Sequence, residues 1–389
     1  MIIVIAAGVI FHIMSPIDSS GILKSHENIP LILTPYIERG ETEIARALSR
    51  NDPMVLKNIK SYSGFINVNE TESWNLFFWY FPNKKKSADQ TPWIIWLQGG
   101  PGMSSLYGLF KEIGPLQIIN GKVEKMSITW ATDYSLLFID NPAGSGFSFS
   151  ERKRYPTTED EGLIIGDGWI DPPNLLHYSK WALQVGLIDY EQAERIEEAE
   201  NMARKFWEEK NIYHYAGKAK MAYNILKSFA PFDDLNYLKD DTDNRIHEIS
   251  NFLNQEKIKK MLHVGDITFN FIDFASQNKL YEDIYLSVRP WLEELLEHYG
   301  VLCYSGQLDM VMAYALLVES YRSLEWSGRE EYLKAHRAPM FGPNHIINGY
   351  VKTAGNFMEA MVRGAGQHVP EDNPKAAKQT IDLFINKFI

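Results

Sequence analysis

The stretch WIIWLQGGPGMSS, residues 93–105, decides how the chain folds. Trp93 to Leu97 are all apolar, with none of the alternation of a half-exposed strand, so they read as a central strand covered on both faces. Directly after them come Gly99, Gly100 and Gly102. With no Cβ in the way, backbone N–H groups at such a bend can approach a bound group closely. The bend is either an oxyanion-binding loop or a plain tight turn, and this string leaves both open. It lacks the Lys-Ser/Thr ending of a phosphate-cradling loop, which argues against nucleotide binding.

Three more strings share the layout of strand followed by bend. FIDNPAGSGFSFS (138–150) is a second strand leading into a glycine-rich turn. CYSGQLDMV (303–311) delivers Asp309 just past a strand end, where catalytic carboxylates sit in α/β enzymes and where loop caps sit as well. VRGAGQHVPEDNP (362–374) is a glycine-rich loop that holds His368 and leads into a final helix.

Further strands are read at SYSGFINV (61–68), WNLFFWYF (74–81), YSLLFID (134–140), VLCYSG (301–306) and AGNFMEAMVR (354–363). In the middle, residues 189–211 place Ile196, Ala199, Ala203, Phe206 and Trp207 on one helical stripe, and their many charges read as a solvated face. PWLEELLEHYG (290–300) reads as a helix stopped by Gly300. A last helix runs from Pro374 to Phe388, with proline in its first turn. Lys84-Lys85-Lys86 reads as a solvated hairpin turn. Strands, then helices, then strands and helices again describe an α/β core carrying a helical cap. The boundaries are a leader at 1–20, core at 21–170 and 286–389, and a cap at 171–285.

The chain has 389 residues, 45% apolar and 23% charged, as in an ordinary soluble globular protein. A net charge of −11 argues against nucleic acid or an anionic membrane as partner. Cys303 is the only cysteine, which excludes an internal disulfide and any multi-cysteine metal site. The opening MIIVIAAGVIFHIM (1–14) is apolar except for His12. It is shorter than the about 20 residues that span a bilayer and suits the apolar part of a secretory leader. The alternative is a buried N-terminal strand. Asn69-Glu70-Thr71 is an N-glycosylation sequon. A secreted or lysosomal, vesicular location follows from these two features.

In order and spacing, the four strings together resemble the serine carboxypeptidases, an α/β-hydrolase family, and within it the vitellogenic carboxypeptidase-like branch. IIGDGWIDPPN (164–174) and MLHVGDITFN (261–270) belong to the same resemblance. It implies an α/β-hydrolase fold with a helical cap, and removal of residues from peptide or protein C-termini through an acyl-enzyme, without metal or cofactor. It also implies a triad in the chain order Ser, Asp, His, with the serine on a sharp strand-to-helix elbow. By similarity, Gly100 supplies an oxyanion N–H and Asp309 is the triad aspartate. Glu112, Gln98 and Trp96 fall in the network that holds the peptide's free carboxylate. Gln98 stands where the family has asparagine, keeping the amide and adding a methylene.

The resemblance breaks at two places. The family's strand, serine elbow and following helix should lie between RKRYPTTEDE (152–161) and GLIIGDGW (162–169), yet these segments join directly at Glu161-Gly162. No displaced Gly-x-Ser-x-Gly occurs elsewhere. HYAGK (214–218) puts His214 at the serine position, but it lies within the cap. At the base, Gly364-Ala365-Gly366-Gln367-His368-Val369-Pro370 places Gln367 in the histidine position and His368 one residue later, its side chain expected to project elsewhere. Glutamine cannot take up a proton near neutral pH. The expectation is a carboxypeptidase that does not turn over. Its alternative is a non-catalytic binding or storage protein that keeps the pocket. Losing a central strand should also leave ladder groups unpaired, at about 1–3 kcal/mol each, unless GLIIG (162–166) slides into the gap. Nothing in the sequence fixes an oligomeric state.

Overall fold

The structure, a computed structural model, describes residues 2–3, 29–69, 71, 73–83, 91–100, 102–150, 164–230, 236–239 and 245–388. Their contacts divide into one unit of residues 2–160 and 243–279 and another of residues 161–242 and 280–389. The direct join at Glu161-Gly162, the Lys84–Lys86 turn and most of the leader lie outside the described residues.

The first unit is built on strands β1 (Ile2–Ile3), β2 (Tyr62–Asn69), β3 (Trp74–Phe81), β4 (Trp93–Trp96) and β7 (Ser135–Ile139), ordered β1-β4-β7-β3-β2 across the sheet. β5 (Leu116–Ile119) and β6 (Lys122–Lys125) form a separate hairpin, and β8 (Phe149–Ser150) pairs with β3. On β3 every second residue is buried, with Phe77, Trp79 and Phe81 inward, as a period-two strand covering one core face requires. β4 lies parallel to β7, with Ile94 opposite Leu136. Its uninterrupted apolar run is not buried on both faces as expected. Ile94 and Trp96 are buried, while Trp93 and Ile95 are half-buried. Trp93 is covered by Tyr80, stacked at 4.5 Å, so an aromatic neighbour does the work expected of a second layer.

The strand on the other side of β4 is β1, antiparallel, with Ile2 opposite Trp96 and Ile3 opposite Ile95. Ile2 and Ile3 thus form a strand inside the segment read as a leader. Of GLIIG, Ile164–Gly166 form β9 of the second unit, parallel to β10 (Val301–Gly306) with Ile164 opposite Leu302.

The second unit's sheet runs β11-β12-β13-β10-β9, with β11 (Ala338–Phe341), β12 (Ile347–Ala354) and β13 (Phe357–Val362) as an antiparallel meander. β10 and β13 pair in parallel, and all six residues of each are buried. Sheets buried on both faces need such apolar runs. The exception is Glu359, whose two oxygens accept the hydroxyls of Tyr314 and Tyr332. Helices Tyr190–Glu208 and Ile212–Phe229 pack on each other, the first begun by a reciprocal Asp189–Gln192 cap. Ile196, Ala199 and Ala203 are buried as their stripe requires. One supposedly solvated charge is not. Glu200 is buried, accepting from Ser179 N at 3.1 Å and Oγ at 2.7 Å. The helices expected as a single cap divide between the units: those within 172–229 belong to the second, and Arg245–Leu253, Glu256–Met261 and Phe274–Lys279 to the first.

Candidate functional site

In the first unit the glycine-rich bend after β4 is held by one carboxylate. Asp140, fully buried at the end of β7, accepts from Ser104 Oγ at 2.6 Å, Ser105 N at 2.9 Å and Phe147 N at 3.0 Å. Both bends, 98–105 and 141–148, therefore hang on the same side chain. Burial pushes its carboxyl up to about 6, against the pull of these donors. Ser105 Oγ accepts from Gln98 N at 3.0 Å, and Ser104 N donates to Phe271 O at 3.0 Å. Gly102 has no alternative here, because a Cβ would stand 2.7 Å from Asp273 O. Gly100 lies exposed on this loop with φ +145°.

Trp96, Gln98 and Glu112 come together in a chain of hydrogen bonds. Trp96 Nε1 donates to Gln98 Oε1 at 2.8 Å, and Gln98 Nε2 donates to Glu112 Oε1 at 3.2 Å. Glu112 ends the π-helical turn Gly108–Glu112 and is buried. That turn opens with Gly108 because a Cβ there would stand 2.2 Å from Trp96 Nε1. Trp96 can press its indole onto the turn only where no side chain intervenes.

The second unit holds the other residues read from the sequence. Asp309, fully buried just beyond β10, accepts from Val311 N at 2.7 Å and Met312 N at 2.9 Å through Oδ1. Its Oδ2 is buried and, among the described residues, meets no N–H donor. Beside it lies Asp167, which follows β9 in the left-handed region at φ +48° and accepts from Gly306 N at 3.1 Å. Burial first and their mutual contact second raise Asp167 well above the usual carboxylate range, and burial pushes Asp309 up to about 6. Gln367 and His368 are both half-buried in the loop after β13. Positive charge on His368 favours the ionised Asp309 carboxylate. The loop is fastened by Asp372, which accepts from Gly366 N at 2.7 Å, from Asn236 Nδ2 at 2.8 Å and from Lys239.

His214 belongs to no elbow. It sits exposed in the first turn of Ile212–Phe229, with Nδ1 2.9 Å from Asn211 Oδ1. Asn69 is the half-buried last residue of β2. Two residues of consequence escaped sequence reasoning. Asp140 and Asp167 both follow a strand and precede a glycine-rich segment, and that position was the available signal.

A sequence profile described as serine carboxypeptidase matches residues 53–162 and 156–387. The chain belongs to the serine carboxypeptidase family. The two matched stretches meet at the Glu161-Gly162 join. Human "Probable serine carboxypeptidase CPVL" is 31% identical over 445 residues, covering 93% of this chain and 90% of that protein. The Aedes aegypti "Vitellogenic carboxypeptidase" is 32% identical over 437 residues, covering 92% and 90%. Both alignments are longer than the 389-residue chain, so these relatives carry residues that it does not. Kex1(Δ)p, a prohormone-processing carboxypeptidase from Saccharomyces cerevisiae, superposes with a TM-score of 0.76 at 19% identity, covering 88% of this chain and 96% of that one. The fold is the α/β-hydrolase fold of that enzyme. Among the described residues no helix is long and apolar enough to cross a membrane.

Proposed function

We propose that this family member binds the C-terminal carboxylate of peptides and does not hydrolyse them. The Trp96–Gln98–Glu112 chain carries the reading. With Oε1 taken by the Trp96 indole, Gln98 turns its amide nitrogen towards Glu112. An amide nitrogen carries two N–H groups, so one remains to meet a ligand carboxylate. A second carboxylate beside Glu112 needs a proton at the contact, and binding strengthens as pH falls. Turnover has no nucleophile, since the sequence contains no Gly-x-Ser-x-Gly, and Gln367 at the base position cannot accept a proton. The apolar start and the Asn69 sequon support entry into the secretory pathway.

A serine-directed fluorophosphonate and peptide-release assays test the catalytic half of the proposal. Neither labelling nor release is expected. Calorimetry at mildly acidic pH tests the binding half, with a peptide as free acid and as C-terminal amide. The acid should bind about tenfold or more tightly, a margin of roughly 1.4 kcal/mol, and Gln98→Leu should remove the difference. Release of C-terminal residues by the unmodified chain would make it an enzyme. Equal binding of acid and amide would remove the pocket.

A further inference from the structure

We propose that Asp167 is the positioning residue of Asp309, donating to Asp309 Oδ2 through a proton that the two carboxyls share. The proposal deepens the site reading by naming what holds its aspartate, but the shared proton rests on the second unit's geometry alone and does not depend on peptide binding. β9 and β10 run parallel with Gly166 opposite Tyr304, so their ends release two acids into the same buried space. Asp167 is fixed from behind, its N donating to Tyr304 O at 2.8 Å and its carboxylate accepting from Gly306 N at 3.1 Å. Asp309 Oδ1 is satisfied by two backbone donors, and among the described residues its buried Oδ2 meets none. Two carboxylates in contact and out of water cannot both be ionised. One proton must remain on the pair, and it supplies the donor that Oδ2 lacks.

The surroundings decide which acid keeps it. Asp309 has two N–H donors against one for Asp167, and donors stabilise the ionised form. Among the described residues, the titratable groups facing the pair are His368, Tyr178 and Tyr321. The His368 charge favours ionised Asp309. The two phenols are held neutral by burial, and Tyr178 is further engaged as donor to Val311 O at 3.0 Å. Asp309 is therefore the anion, and Asp167 carries the hydrogen. An asparagine at 167 would offer the same hydrogen permanently, without titrating.

The test is the pH dependence of urea unfolding for the full chain, for Asp167→Asn and for Asp167→Ala, each in a His368→Gln background so that no imidazole titrates beside the pair. Above the Asp309 range the native wild-type pair holds one proton more than the unfolded chain, so stability falls as pH rises. Its unfolding constant should climb about tenfold per pH unit faster than that of Asp167→Asn. Asp167→Ala, with no donor for Oδ2, should be less stable than Asp167→Asn at neutral pH, where Asp309 is ionised. Infrared spectra of the otherwise unmodified chain provide a readout that survives any failure of the variants to fold: a protonated-carboxyl band at neutral pH. Parallel pH profiles for wild type and Asp167→Asn, or no such band in the wild type, would overturn the proposal. Neither readout involves a peptide, so a failed pocket and a failed proton pair are told apart.

Discussion

Single residues decide what this site can do, and Asp140 shows how. Three donors from two loops end on its carboxyl. Asp140→Ala strands buried N–H groups of Ser105 and Phe147, at about 1–3 kcal/mol each. Urea unfolding should reveal a loss of about 3 kcal/mol or more. Asp140→Asn should also destabilise, because its NH2 would face a donor whichever way the amide turned. At the base position the prediction has two steps. Restoring a relative's strand, serine elbow and helix at Glu161-Gly162 should return little peptide release while Gln367 remains. Adding Gln367→His to the restored chain should raise release by about 10²–10⁴-fold, the usual worth of a general base. His368 gives the competing outcome, since its charge already reaches Asp309. If the restored chain is active with Gln367 in place and loses activity with His368→Ala, the neighbouring histidine is the base. Trp96, Gln98 and Glu112 were singled out in the sequence only through the resemblance to the serine carboxypeptidases, which matches them residue by residue. Asp167 was not, because its partner is set by the pairing of β9 with β10, which local spacing does not encode.

At the scale of elements, the strands that read clearly were those with strong apolar runs, and β3, β10 and the helix Pro374–Phe388 fall on their expected bounds. β12 was missed beyond its last residue because INGYVKTA mixes glycine, lysine and threonine and buries only Tyr350's neighbour Gly349 and the terminal Ala354. Its strand character comes from pairing with β13, a tertiary effect. β11 hid behind Pro339, which an edge strand tolerates. The absent elbow strand has its own cost. On the side away from β7, among the described residues, β4 is registered only at Ile95 and Trp96, through β1. A chain given a relative's elbow segment should melt several degrees higher and bind less hydrophobic dye than the 389-residue chain. Coincident melts would show that the sheet gains nothing from the missing strand.

For the whole molecule, the opening segment has two incompatible uses. As a leader it is removed; as β1 it stays and covers β4. Expression in a secretory host with N-terminal sequencing decides between them. The expected product starts beyond Met1 and shifts on a gel after glycosidase treatment, with the shift lost in Asn69→Gln. Retention of Met1 in the secreted chain would overturn the leader and leave β1 in place. The two units differ in how readable they were. In the first, bends follow strands in sequence, so much of the site lies within short strings. The second gathers acids from β9 and β10, a loop after β13 and residues 236–239, and no window of sequence spans them.

Asp372 gives that last arrangement a mechanical meaning. The loop bearing Gln367 and His368 is moored by an acid outside it, and two of the three lines to that mooring also tie down Asn236 and Lys239. Whatever draws the 236–239 segment away slackens the loop without touching either side chain. The Gly366 amide is then a built-in gauge: its deuterium uptake reads the tension in the rigging, fast when the strap is loose and slow when it is taut.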